Sequence, residues 1–174
     1  MSTKTTILIY TGSPLDYPEY RHTALHFTFA TGTTSTMHVV GTQGLFIFQE
    51  DVDLDPHEFG SELAKTVPVG EIDGGVSAET IRRAVSATPV RNGREDLDWN
   101  CQNWVGDALR MLVEKGVLSA EVRERAVDGM VEGLWIIWFY RAKFFLMAVS
   151  LYYLSRCVYI GMYGLVCLPR DIPN

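Results

Sequence analysis

The chain has 174 residues, with 21 acidic and 15 basic side chains and a formal net charge of −6. That length supports one domain of ordinary size with an appendage, and it can bury a core without staples. Residues 1–133 hold 20 acidic against 11 basic side chains, so this part carries −9, a balance that argues against a nucleic-acid backbone as partner.

The three cysteines are an odd number, and Cys157 and Cys167 lie in an apolar tail, so no disulfide framework is implied. A reducing compartment, the cytoplasm, is the expectation. No Walker, Rossmann or zinc-ligand spacing is present and no repeat is visible, so neither a metal nor a cofactor is expected. The start, Met1 to Tyr10, lacks the apolar core and cleavage site of a secretory signal and reads as a first strand.

Thr5 to Tyr10 is a short apolar run bounded by the turn residues Gly12-Ser13-Pro14 and Asp16-Tyr17-Pro18. His22 to Ala30 is rich in aromatic residues and threonine, as strands are. Its period of two puts His22, Ala24, His26 and Thr28 on one face, with Thr23, Leu25, Phe27 and Phe29 on the other. Thr31 to Thr34 makes a hairpin loop, and Ser35 to Gly41 returns as the partner strand, carrying His38. Gly44 to Gln49 is expected as a further strand, which completes an antiparallel meander. Asp51 to Pro56 reads as a solvated acidic loop, because it lacks the glycine and closing glutamate of a calcium loop. In Glu62 to Ile72, Pro68 favours an edge strand over a central one. Ser77 caps a helix to about Ser86, and Ser119 with Glu121 starts a later one.

Between those helices lies the stretch Asp98 to Leu109. A polar run ends at Asn100, and Trp104, Val105, Ala108, Leu109 and Leu112 then recur at helical spacing up to the stop at Gly116. Asn100 is placed to cap this helix, which puts Cys101 at its first position. Free backbone N–H groups and the macrodipole there favour negative charge, so a thiol can be acidified below about 8.5 and its N–H neighbours can hold an oxyanion. A half-buried structural cysteine is the alternative.

A nucleophilic thiol needs a base within reach and a third group to fix the base's ring. His22 and His26 share a strand face, His38 lies on the neighbouring strand, and His57 sits in the acidic loop as a surface residue. Three of the four histidines thus fall in one hairpin, with a single cysteine in the body of the chain.

At Leu134 the composition changes, and the chain is almost wholly apolar to Leu168. The window Phe144 to Cys167 is long enough for one membrane-spanning helix of about 20 residues. Arg156 near its middle costs roughly 2.5–3.5 kcal/mol on insertion, which about a dozen apolar residues can offset. Arg141 and Lys143 precede the window and would keep residues 1–133 on the cytosolic side. A buried hydrophobic helix pair and a tail produced by a wrong gene model are the alternatives. The expected division is an α+β domain over 1–133 and a hydrophobic helical tail, a candidate membrane anchor, over 134–174.

The phrase Asn100-Cys101-Gln102-Asn103-Trp104-Val105 resembles the Asn-Cys-Glu-His-Phe-Val motif of the lecithin retinol acyltransferase-like proteins, a permuted branch of the NlpC-type papain-like superfamily. In that branch a histidine comes first, on a strand matched by His22-Thr23-Ala24-Leu25-His26. A second follows across a hairpin, matched by Met37-His38-Val39, and the cysteine comes later at a helix start. The resemblance spans roughly Ile7 to Leu112 and departs at Gln102-Asn103, where the family has Glu-His, and at Thr23, where it has Trp. The same phrase is similar to one in small uncharacterised fungal proteins.

The resemblance implies a permuted papain-like fold of antiparallel sheet packed on helices. It implies a cysteine hydrolase or acyltransferase acting on an ester, amide or thioester through a thioester intermediate. Cys101 would be the nucleophile, His22 the general base and His38 the group orienting it. His26 would face the same cleft and bind substrate, and Asn100 and Gln102 would support the oxyanion. The partner would be a small-molecule, lipid or peptide acyl substrate. The alternative is an inactive papain-like domain that serves as a binding or membrane-tethered module.

Overall fold

Patterning of period two in the first half of the chain builds β1 (Thr3–Tyr10), β2 (Thr23–Thr28), β3 (Thr34–Val40), β4 (Ile47–Val52) and β5 (Leu63–Ile72). Period-3.6 patterning then builds α1 (Ala78–Ser86), α2 (Cys101–Glu114) and α3 (residues 120–135). The computed structural model describes residues 2–135 and the strand backbone of 157–159 and 165–167. The architecture is α+β. One antiparallel sheet runs in the order β4-β3-β2-β1-β5.

The expected meander of three runs is β2-β3-β4; β1 joins it beside β2, and β5 returns to pair with β1 as an edge strand. Pro68 explains that place, since a residue without an N–H cannot serve a central ladder. The register of β1 against β5 slips at Pro68, so Thr5 faces Gly70 while Thr6 faces Pro68, leaving Val69 as the extra residue of a bulge.

One face of the sheet carries Ile7 and Ile9 of β1, Leu25 and Phe27 of β2, and Met37 and Val39 of β3. These bury against Ile81 and Val85 of α1, Trp104, Ala108, Leu109 and Leu112 of α2, and Ala126 and Met130 of α3. Among the described residues the three α-helices therefore lie on this side. The opposite face has a small cluster of Leu8, Tyr10 and Ala24, with Phe59 and Leu63 packed on it. His22, Ala24 and His26 belong to this second face by alternation, as their spacing predicts.

β4 begins three residues later than the sequence predicts and runs through Asp51, where the acidic composition predicts a loop. Residues 41–46 are taken by the β3–β4 connection, where Leu45 N–H donates to the Thr42 carbonyl. Gly41 has φ of 120°, and a Cβ there would run into the Leu45 carbonyl, so the turn needs glycine. Asn92 clamps the end of this turn with two hydrogen bonds to the Phe46 backbone, of 2.8 and 2.9 Å.

The chain divides into two compact units, Met1–Trp135 and Ile136–Asn174. In the second, β6 (Cys157–Tyr159) and β7 (Leu165–Cys167) pair antiparallel, with Cys157 in register with Cys167. These six residues were expected in a helical tail and are extended instead. Val158, Tyr159 and Val166 favour strands, and Gly161 and Gly164 between them disfavour helix. The rest of the window Phe144 to Cys167, and with it the expected membrane anchor, lies outside the described residues. Among the described residues no helix is long and apolar enough to cross a membrane.

Candidate functional site

The start of α2 is built by its own sequence. The Asn100 side-chain oxygen accepts the N–H groups of Gln102 at 2.9 Å and Asn103 at 3.4 Å, and the Asn103 side-chain oxygen accepts the Asn100 N–H at 3.0 Å. This reciprocal capping box holds Cys101 in the first turn, with its own N–H among those that have no partner inside the helix.

Cys101 lines a cavity of about 790 Å³ at the end of the sheet. His22 and His38 line it too, together with Tyr10, Phe59, Trp99 and Asn100. His22 Nε2 lies 2.7 Å from His38 Nδ1, and His38 Nε2 lies 2.9 Å from Asp51 Oδ2. Asp51 also accepts from Gln49 Nε2 at 2.8 Å. Tyr10 stacks on His22 at a centroid distance of 6.0 Å, and Phe59 meets His38 edge-on at 5.4 Å, so aromatic walls hold both rings.

The order of this chain decides which nitrogens carry protons. A carboxylate only accepts, so His38 Nε2 donates to Asp51. In a neutral ring that leaves His38 Nδ1 as an acceptor, and His22 Nε2 must donate to it. The lone pair of His22 is then on Nδ1, which makes no hydrogen bond among the described residues. Burial and the neighbouring His38 push the His22 pKa down to about 4, so the ring is neutral at pH 7. Burial also lowers His38, against the pull of Asp51.

The thiol differs from expectation. Burial pushes the Cys101 pKa up and outweighs the hydrogen-bond donors of Thr23, Cys101 and Gln102 that favour the thiolate. The side chain is only 9% exposed, and Sγ donates to the Arg21 carbonyl at 3.7 Å. No hydrogen bond among the described residues joins Sγ to a histidine ring. At rest the site therefore holds a neutral thiol and a neutral imidazole in one cavity, not an ion pair. Desolvation at a buried sulfur exceeds what the few amides of one helix turn return.

Two further residues fall elsewhere than expected. His26 is not on the cavity wall; its Nδ1 is held by the Thr36 hydroxyl at 2.8 Å, deeper along β2. Gln102 is not free to support an oxyanion, because its Nε2 donates to the carbonyls of Pro18 at 2.6 Å and Arg21 at 3.2 Å. The Asn100 oxygen is committed to the cap, and its amide nitrogen makes no hydrogen bond among the described residues.

Asp51 is the residue that sequence reasoning missed. His38 pairs with Gln49 and Thr36 with Asp51, so a strand continued two residues beyond Gln49 sets the carboxylate diagonally beside His38. The acidic run from Asp51 to Pro56 masks that signal, because its composition fits a solvated loop equally well. Among the described residues no group of three or more His, Cys, Asp or Glu side chains could hold a metal ion.

A family model described as "Family of unknown function (DUF6540)" matches residues 9–119, a span that runs from the end of β1 through α2. No curated protein and no solved structure matches the chain.

Proposed function

Because the chain belongs to this family of unknown function, we propose its activity from its own geometry: a cysteine-dependent hydrolase or acyltransferase of permuted papain-like type. The observation that carries the reading is the relay Asp51–His38–His22, which leaves Nδ1 of His22 unprotonated on a residue that lines the same cavity as Cys101. The motif likeness of Asn100 to Val105, and of the strands bearing His22 and His38, to the lecithin retinol acyltransferase-like proteins supports it.

His22 Nδ1 takes the thiol proton as Sγ bonds to the carbonyl carbon of an ester, amide or thioester. The carbonyl π pair moves to oxygen, which the Asn100 side-chain amide stabilises, joined by the Cys101 N–H as negative charge leaves the sulfur. Collapse breaks the bond to the leaving group, which departs with the proton from His22, and a thioester on Cys101 remains. Water or an amine then attacks the thioester, gives its proton to His22, and releases the acid or the transferred acyl product. Cys101 recovers its proton. Starting from a neutral thiol, proton removal and attack are coupled, so the rate depends on His22 throughout.

A small electrophile such as iodoacetamide reads out this coupling. Cys101 is expected to alkylate at least tenfold more slowly in His22→Ala, since a positioned base contributes about 10²–10⁴-fold. Equal labelling of wild type and His22→Ala would defeat the proposal. The raised thiol pKa favours one other reading, an inactive binding module. In that case a stably folded Cys101→Ser protein keeps its biological effect, whereas the enzyme reading requires its loss.

A further inference from the structure

Gln102 follows the sulfur-bearing residue, and both hydrogens of its amide are spent on backbone carbonyls of the β1–β2 connection, those of Pro18 and Arg21. The Arg21 oxygen is the same one that accepts from the Cys101 thiol. Arg21 is the residue before His22, and it is itself immobilised. Its guanidinium is buried, pairs with Asp16 through Nε at 2.8 Å and Nη2 at 2.9 Å, and donates from Nη1 to the Leu134 carbonyl. One side-chain amide thus ties the helix that carries the sulfur to the strand that carries the imidazole.

We infer that Gln102 is a positioning residue, which fixes Cys101 relative to His22 and holds a donor on the Arg21 oxygen when the thiol gives up its proton. The inference rests on the cysteine-based reading above. While protonated, the thiol satisfies that oxygen in part. Once ionised it faces a carbonyl dipole of the wrong sign, and the Gln102 side-chain N–H on that oxygen draws off its negative potential. Only a donor can do this. A glutamate at 102, which the motif of the lecithin retinol acyltransferase-like proteins has in this place, would set a carboxylate against two carbonyls and a thiolate. The other charged or titratable groups around the sulfur are Arg21 with Asp16, the His22–His38–Asp51 chain, and Tyr10, Glu19, Tyr20 and Asp98 on the cavity wall.

The test is the pH titration of the Cys101 ¹³Cβ shift in the full chain, assigned with Cys101→Ser, for wild type, Gln102→Glu, Gln102→Leu and Asn103→Ala. The midpoint is expected to rise by about one pH unit in Gln102→Glu, which is about tenfold less thiolate at a given pH. It should rise by less in Gln102→Leu and stay put in Asn103→Ala, which loosens the same helix turn without touching Arg21. An unmoved midpoint in Gln102→Glu, or an equal rise in Asn103→Ala, overturns the inference. If Gln102→Glu fails to fold, Gln102→Leu against Asn103→Ala decides. Alkylation that depends on His22 with an unmoved midpoint removes the Gln102 role alone. A moved midpoint with alkylation indifferent to His22→Ala removes the enzyme reading and leaves the clamp.

Discussion

Asp51 sets the chemistry of a ring it never touches. Its carboxylate fixes the proton of His38 on Nε2, and that fixes the proton of His22, two residues away along the relay. In Asp51→Ala, His38 is free to put its proton on Nδ1, and His22 then has to accept at Nε2 and carry its own proton on Nδ1. The base lone pair is lost from the cavity. Cys101 alkylation should fall by about tenfold or more, with ring ¹⁵N shifts reporting the exchanged tautomers. Unchanged tautomers together with an unchanged rate would show that Asp51 is decorative. The sequence exposes His22, His38 and Cys101 through residue type, order and spacing. It does not expose the partner of His38, because two residues of strand or loop at 50 and 51 look alike when the local composition is acidic.

At the scale of elements, α2 is the most completely encoded part of the molecule. Asn100 and Asn103 close the cap, Trp104 to Leu112 supply the buried stripe, and Gly116 with φ of 69° ends it. Asn100→Ala removes the acceptor for two backbone N–H groups and should cost about 1 kcal/mol of stability, read as a shift in denaturant midpoint at constant slope. A loss within error would mean that water replaces the cap. Gln102 shows where local reading stops. From its place beside Cys101 it looks available to substrate, yet its amide is claimed by carbonyls more than 80 residues earlier. β4 shows the same limit, since the turn at Gly41 and the clamp from Asn92 displace it along the chain.

For the whole molecule, the buried histidines link stability to acidity. His22 has a folded pKa of about 4 against 6.5 for an ordinary imidazole. Between those values the unfolded chain binds a proton that the folded chain refuses, so the contribution is full above about pH 6.5 and is lost as pH falls towards 4. The span corresponds to about 3 kcal/mol. Replacing His22 by Gln should flatten this part of the stability profile, measured by denaturant unfolding at pH 7 and pH 4.5. Parallel profiles for the two proteins would assign the acid sensitivity to other groups.

The sequence by itself determined the α+β class, the meander, the edge position of the strand with Pro68 and the capped helix. All of these follow from periodicity, backbone conformational preference and local hydrogen bonding, which act over a few residues. Tertiary structure alone decided that Cys101 is held as a neutral thiol, that Asp51 completes the histidine relay, that His26 is tied to Thr36 and that Gln102 grips the β1–β2 connection. Those outcomes depend on burial and on which distant carbonyls and carboxylates arrive beside each group, quantities that exist only once the sheet and the helix have packed together.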